Sequence, residues 1–437
     1  MERSVQEKDE YKFSRFMYIL EAAFEYFISL MFTGAYLATV TKSIGLSDAV
    51  TGILSSFATL GCGFQIFAIF LSGKRRVKRT VSILHTINQL LFALCYVVPV
   101  VPLSKTVKTV LFVAFLLIAY AINHVVNSPK INWFMSLVDN HKRGVFTANK
   151  EIVSLIGGAV FSFLMGSVID VYEARGNING ALIFGAVTLF VLAALHTATL
   201  LLSKEKVAEQ EQKEKTPIKP LLKGMIRDKN LFKVILVLGL WSVANCIAPP
   251  FYGSYQEGEL GFSLGFCAFI AAIGSFIRAL FSRPIGNYAD KYSFRKMLNL
   301  CFILEAISFL LGVFVTPANG KVLFTVHHIL NALGMAGISS GGINLIYEYV
   351  TEEKRMAAFA LKNTFVGFIG FFTTLAVSPL VSYIQASGNR FLGLDVYAQQ
   401  VMSAISCLVV LLLLVYLNTV VKKIKRPSED QSSLACD

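Results

Sequence analysis

Apolar residues fill this chain in long blocks separated by shorter polar connections. A helix of about 20 apolar residues crosses the ~30 Å hydrocarbon core of a bilayer. The pattern predicts twelve such spans, at about 16–40, 47–72, 80–102, 106–130, 145–171, 179–202, 231–256, 262–285, 295–316, 321–349, 357–385 and 394–420. The longest connection, 203–230, separates spans six and seven. It contains SKEKVAEQEQKEKTPIKP, a mixed-charge stretch that reads as a solvated linker. PLLKGMIRDKN after it suits a short helix on the membrane surface. The expectation is an all-α membrane protein: a six-helix half at 1–202, a linker at 203–230, and a second six-helix half with its tail at 231–437.

Composition agrees. The 437 residues are 55% hydrophobic and 15% charged, against about 25% charged in soluble domains. The mean hydropathy is +0.62. The charged start MERSVQEKDEYKFSR leads into a full-length span and does not read as a signal peptide. Seven scattered cysteines show no metal spacing or disulfide framework. No phosphate-binding Gly-rich motif appears, so nothing supports ATP-driven transport or another cofactor-dependent activity.

The net charge of +13 has a topological explanation. With both termini on one side, Lys42, Lys105, Lys108, Arg175, Lys321 and Arg390 fall on the other side and Arg278 lies within span eight. All the remaining Lys and Arg share the side of the termini. By the positive-inside rule both termini are cytoplasmic, and the charge requires no nucleic-acid partner.

The first span, FMYILEAAFEYFISLMF, carries Glu21 and Glu25. A carboxylate near the bilayer centre costs at least ~2.5 kcal/mol on insertion scales. The two lie four residues apart, on one helix face, and Glu25 falls about 14 Å into the span. Burial and mutual repulsion make the pair a candidate proton-carrying site. The competing reading is structural, with both acids bonded to other helices or to a buried base.

An internal repeat is legible. SPKINWFMSLVDNHKRGVFTANK (128–150) aligns without gaps on SGGINLIYEYVTEEKRMAAFALK (340–362). The identities include Ser128/Ser340, Asn132/Asn344, Lys142/Lys354, Arg143/Arg355 and Lys150/Lys362. Polar residues carry much of the match, which favours two homologous halves over chance similarity of apolar helices.

The connection RPIGNYADKYSFRKML (283–298) resembles the cytoplasmic loop signature of the major facilitator superfamily, G-x-x-x-D-[RK]-x-G-R-[RK]. Gly286, Asp290 and Lys291 match in place. Ser293 stands where the second glycine is usual, and Arg295 and Lys296 come one residue late. The first-half counterpart SGKRRVKRTV keeps Gly73 but lacks the aspartate. With the spans, the central connection and the repeat, the resemblance covers almost the whole chain.

The resemblance implies a secondary carrier working by alternating access, with spans 1, 4, 7 and 10 lining a central cavity. Their polar residues include Glu21 and Glu25, then Asn123, His124 and Asn127, then Trp241 and Asn245, then Asn331. These are the candidate substrate-binding or coupling residues. Arg143, Gly286, Asp290, Lys291, Arg295 and Arg355 are the candidate cytoplasmic gate, with Gly286 packing at a helix end and Asp290 facing a neighbouring helix N-terminus or a base. Glu305 in span nine and Arg278 in span eight form a candidate structural pair. His327 and His328 are expected near the outer interface.

The expected function is proton-coupled uptake of a small polar solute, with no cofactor or metal, by a monomer in the bilayer. Efflux antiport and a ligand-binding receptor without net flux are the alternatives. Span five lacks the Gly-Pro pairing of the family's antiporter signature. Short outer connections and the absence of an N-x-S/T acceptor fit a bacterial inner membrane.

Overall fold

The computed structural model describes residues 10–68, 76–139, 142–206, 228–350 and 355–424. Most of the 203–230 linker, including most of the expected surface helix, lies outside them, as does Gly73. The protein is an all-α membrane protein whose described strands are a two-residue pair, β1 (Arg390–Phe391) against β2 (Leu394–Asp395).

The helices are α1 (Lys12–Leu30), α2 (Gly34–Ile44), α3 (Asp48–Ser55), α4 (Phe57–Phe64), α5 (Lys78–Val97), α6 (Lys105–Met135), α7 (Arg143–Ala174) and α8 (Ile178–Leu202). They continue with α9 (Lys229–Asn245), α10 (Leu264–Tyr292), α11 (Phe294–Val313), α12 (Gly320–Tyr347), α13 (Arg355–Ala386) and α14 (Ala398–Thr419). Among the described residues, ten helical segments are long and apolar enough to cross a membrane, and the bent pair α1–α2 makes eleven. The remaining expected span, 47–72, is represented by α3, α4 and a 3₁₀ turn at Gln65–Phe67.

Three expected spans are therefore broken, and each break has a local cause. The first bends by 50° between α1 and α2. Gly34 sits at φ +53°, a conformation that costs a residue without Cβ little. The hydroxyls of Ser29 and Thr33 donate to the carbonyls of Tyr26 and Leu30, and Tyr96 Oη donates to Met31 O at 3.0 Å. The second span breaks at Ser56, whose Oγ donates to Ile53 O. The seventh breaks after α9, before Pro249-Pro250. There Ser406 Oγ and Thr374 Oγ1 donate to the carbonyls of Ala244 and Cys246. A bilayer offers no water to carbonyls released at such breaks, and at Met31, Ala244 and Cys246 side-chain hydroxyls bond them.

The chain divides into two compact units. One comprises Met1–Glu211 with Gln256–Gly258 and Phe262–Phe269; the other comprises Gln212–Tyr255, Glu259–Gly261 and Ile270–Asp437. In the second unit a large apolar core joins α9, α11, α12, α13 and α14, with Trp241, Phe302, Phe309 and Met402 among its members.

In the first unit a smaller cluster fixes the positions that matter below. Tyr18, Val81, Phe134 and Leu200, from α1, α5, α6 and α8, pack together with Trp133 and Leu137. Tyr18 and Phe134 stack at 4.2 Å between ring centroids. Three or four residues along each of these helices stand Glu21, His85, Lys130 and His196. Residues at that spacing share a helix face. One turn from the apolar cluster, all four helices therefore present an ionisable side chain to the same interior point.

Candidate functional site

Lys130 is the centre of the site. Its Nζ lies 3.0 Å from Glu21 Oε1 and also bonds Glu25 Oε2. His196 Nε2 is 3.0 Å from the same Glu21 oxygen and 2.9 Å from His85 Nδ1. His85 Nε2 closes the ring 3.5 Å from Glu25 Oε1. Glu21, His85 and His196 are fully buried, Lys130 is 3% exposed, and the Glu25 side chain is 20% exposed. Glu25 is thus the member of the ring that the surroundings reach.

The arrangement follows from the sequence locally. The i, i+4 spacing on α1 puts both carboxylates on one face. Beside the two imidazoles, Thr86 Oγ1 and Thr197 Oγ1 pair at 3.1 Å, a second rung between α5 and α8 in the same register. On the other flank of α1, Gly157 and Gly158 of α7 accept Phe27 and Tyr26. Cβ atoms there would lie 2.7 and 2.4 Å from those rings. Small residues of this kind let membrane helices approach closely.

The ring is rich in donors and acceptors and incompletely satisfied. Glu21 Oε2, His85 Nε2 and His196 Nδ1 are buried with no hydrogen-bond partner. Buried polar atoms normally have one. With neutral imidazoles, two carboxylates face one ammonium, so the ring carries one negative charge in excess and accommodates one further proton. Glu21, Glu25, His85 and His196 each offer a donor atom within 4.8 Å of one another, a set with metal-ligand chemistry. The Lys130 ammonium already bonds both carboxylates and takes a cation's place, so the set does not fit a metal centre.

The other predicted residues distribute unevenly. Asn123, His124 and Asn127 lie half-buried on α6, toward the Lys105 end of the helix from Lys130. Asn123 Oδ1 is buried without a hydrogen-bond partner. The His124 ring packs over Gly61, where a Cβ would lie 2.3 Å from Cδ2. Asn123, Asn127 and Lys130 follow a spacing of four and three residues, so they share a face.

The second unit holds the remaining candidates. Trp241 is a core residue, 5.6 Å from the Phe302 ring between centroids, and its exposure is only 7%. Asn245 is half-buried where α9 ends. Asn331 Nδ2 donates to Glu305 Oε2 at 2.9 Å. The partner of Glu305 is therefore an amide one helix on, not Arg278, whose guanidinium reaches Ser339 Oγ instead. His327 is packed inside the protein, 2% exposed and bonded through Nδ1 to Ser308.

The gate candidates are mostly exposed. Arg143 Nε donates to Val138 O at 3.4 Å, and Arg355 lies 5.5 Å from the Tyr347 ring centroid. Arg295 Nη1 donates to Asn418 Oδ1 at 3.3 Å. Lys291 is exposed beside the Tyr292 ring. Among the described residues, a Cβ on Gly286 would meet nothing within 4 Å. Asp290 is exposed and has no hydrogen bond or ion pair among the described residues. The N-terminus of α11 is capped by Ser293, whose side chain accepts from Lys296 N.

Lys130, His85 and His196 escape the sequence reading as site residues. Lys130 counts there among the charges of a cytoplasmic connection, directly after Pro129. Instead α6 runs through Pro129 to Met135 and carries Lys130 inside.

Comparison with known proteins agrees with this architecture. The family described as Major Facilitator Superfamily matches residues 19–282 and 247–435. Among solved structures, the chain resembles the nucleoside transporter NupG at 14% identity and a TM-score of 0.71, covering 94% of this chain and 100% of that one. It resembles a D-xylose-proton symporter at 14% identity and 0.67, covering 92% and 97%. It also resembles an auto-inhibited POT family peptide transporter at 11% identity and 0.65, covering 95% and 98%. No curated protein matches the chain.

Proposed function

The chain belongs to the Major Facilitator Superfamily, and from that premise we propose that it is a secondary transporter that takes up a small polar solute with protons by alternating access. The observation that carries this reading is the position of Glu25. It is the most exposed member of a buried ring that carries one negative charge more than its lysine offsets. A proton binding at Glu25 neutralises the ring and weakens the hold on Lys130, so proton occupancy alters the packing of α1 against α6.

Asn123, His124 and Asn127, on the same helix as Lys130, are the residues we assign to solute contact in this unit. The similar structures, a nucleoside transporter, a D-xylose–proton symporter and a peptide transporter, support a polar solute. In this reading the termini face the cytoplasm, Arg143 and Arg355 act at the cytoplasmic gate, and the unit of function is a monomer in the plasma membrane of a bacterium.

The test is proton movement on solute addition. Proteoliposomes holding a pH dye are exposed to a panel of sugars, nucleosides, amino acids and peptides. The expected result is internal acidification with one solute class and none in protein-free vesicles. Entry of a radiolabelled solute with no proton movement contradicts the coupling.

A further inference from the structure

The ring contains a second connection between its two carboxylates that the ammonium does not serve. Lys130 joins Glu21 to Glu25 on one side. On the other side, two fully buried imidazoles join them in series. His85 faces Glu25 with Nε2 and His196 with Nδ1; His196 Nε2 faces both His85 and Glu21. A purely structural histidine needs one partner for each nitrogen. Here one nitrogen, His196 Nε2, is within bonding distance of two groups, while His85 Nε2 and His196 Nδ1 have no hydrogen-bond partner.

We propose that His85 and His196 relay the coupling proton between Glu25 and Glu21, so that the ring holds one exchangeable proton as a unit. The inference rests on the proton-coupled reading above. The step balances without any further reactant. Glu25 gives its carboxyl proton to His85 Nε2, a contact that closes from 3.5 Å. His85 releases the proton on Nδ1 to His196 Nε2, and that nitrogen passes it to Glu21 Oε1. One O–H bond breaks at Glu25 and one forms at Glu21. His85 exchanges its protonated nitrogen, and His196 returns to its starting state. Proton transfer along such a chain requires hydrogen-bond reach at every link, and the two inner links, at 2.9 and 3.0 Å, already have it.

Beyond Lys130 and the other members of the ring, the titratable groups nearby are Tyr18, one turn along α1, and His124 on α6. Tyr18 stacks on Phe134 and His124 packs over Gly61. Neither stands between the two imidazoles.

The experiment uses the full chain in detergent or lipid, labelled with ¹⁵N-histidine, and needs no solute. The chain has six histidines, so His85→Gln and His196→Gln assign the two signals of interest. Infrared difference spectra over the same range, about pH 5 to 8 where imidazoles and perturbed carboxyls titrate, follow the carboxyl band. The expected result is one shared transition. In it a carboxyl band appears, and a ring of the His85–His196 pair exchanges its protonated and unprotonated nitrogens. Glu25→Gln abolishes both signals.

A carboxyl band that titrates and depends on Glu25 while both imidazoles keep one tautomer overturns the relay and leaves proton coupling standing. Imidazole changes that persist unaltered in Glu25→Gln overturn it too. Silence of carboxyl and imidazoles together contradicts both this inference and the coupling it rests on.

Discussion

One ammonium bridges two acids: Lys130 Nζ bonds both Glu21 and Glu25, across a full turn of α1. All three groups belong to membrane-spanning helices, and Lys130 and Glu21 are almost wholly enclosed. Removing one partner of a buried ion pair leaves an uncompensated charge and costs about 3–5 kcal/mol. Lys130→Met is expected to lower thermal stability in detergent by an amount of that order. Adding Glu21→Gln and Glu25→Gln to the same chain is expected to recover much of the loss. A triple variant no more stable than Lys130→Met contradicts the pairing.

Glu305 in the second unit behaves differently. Its carboxyl is fully buried, accepts one bond from Asn331 and leaves Oε1 unpartnered. Glu305→Gln preserves the shape and keeps an acceptor for Asn331, so its stability change is expected within about 1 kcal/mol. Asn331→Leu strands both oxygens and is expected to cost about 1–3 kcal/mol. Chemical or thermal unfolding of the two variants compares them directly, and a larger loss in Glu305→Gln reverses the assignment.

Trp241 separates packing from binding. Its ring lies in a close-packed core against Phe302. Trp241→Ala is expected to cost about 3–5 kcal/mol of stability. Trp241→Phe is expected to retain solute affinity within a few-fold. A stable Trp241→Phe protein that loses solute binding places the indole in the binding site instead.

The glycine contacts of α7 make a further prediction. Gly158→Ala puts a methyl group 2.4 Å from Tyr26 Cε1. Overpacking of this kind costs about 1–3 kcal/mol. Tyr26→Leu in the same chain is expected to relieve part of it, readable as partial recovery of the melting temperature. Full additivity of the two losses contradicts direct contact.

Much of this architecture is legible in the sequence, for stated physical reasons. Length and apolarity locate the spans, because a bilayer demands both. Glu21 and Glu25 are visible because a carboxylate amid apolar neighbours is costly. What is hidden is the set of partners. Lys130 follows a proline at the apparent end of a span, where a base ordinarily belongs to the cytoplasmic surface. The repeat holds the clue: its counterpart in the second copy is Gly342, so the two halves differ there in charge. His85 and His196 stand alone in separate helices, 111 residues apart, and no local pattern joins them. Their helices are joined by packing around Val81 and Leu200, which only the fold reveals. The misassigned partner of Glu305 has the same origin, since pairing by opposite charge ignores which helix faces which.

The central claim is that Glu25 couples solute movement to protons, and the most direct measurement compares two modes of transport in one variant. In proteoliposomes the wild-type protein is expected to accumulate its solute under an inward proton gradient and to exchange labelled for unlabelled solute without one. Glu25→Gln is expected to exchange at a comparable rate and to reach no more than the external concentration under the gradient. Accumulation by Glu25→Gln to the wild-type level contradicts the claim.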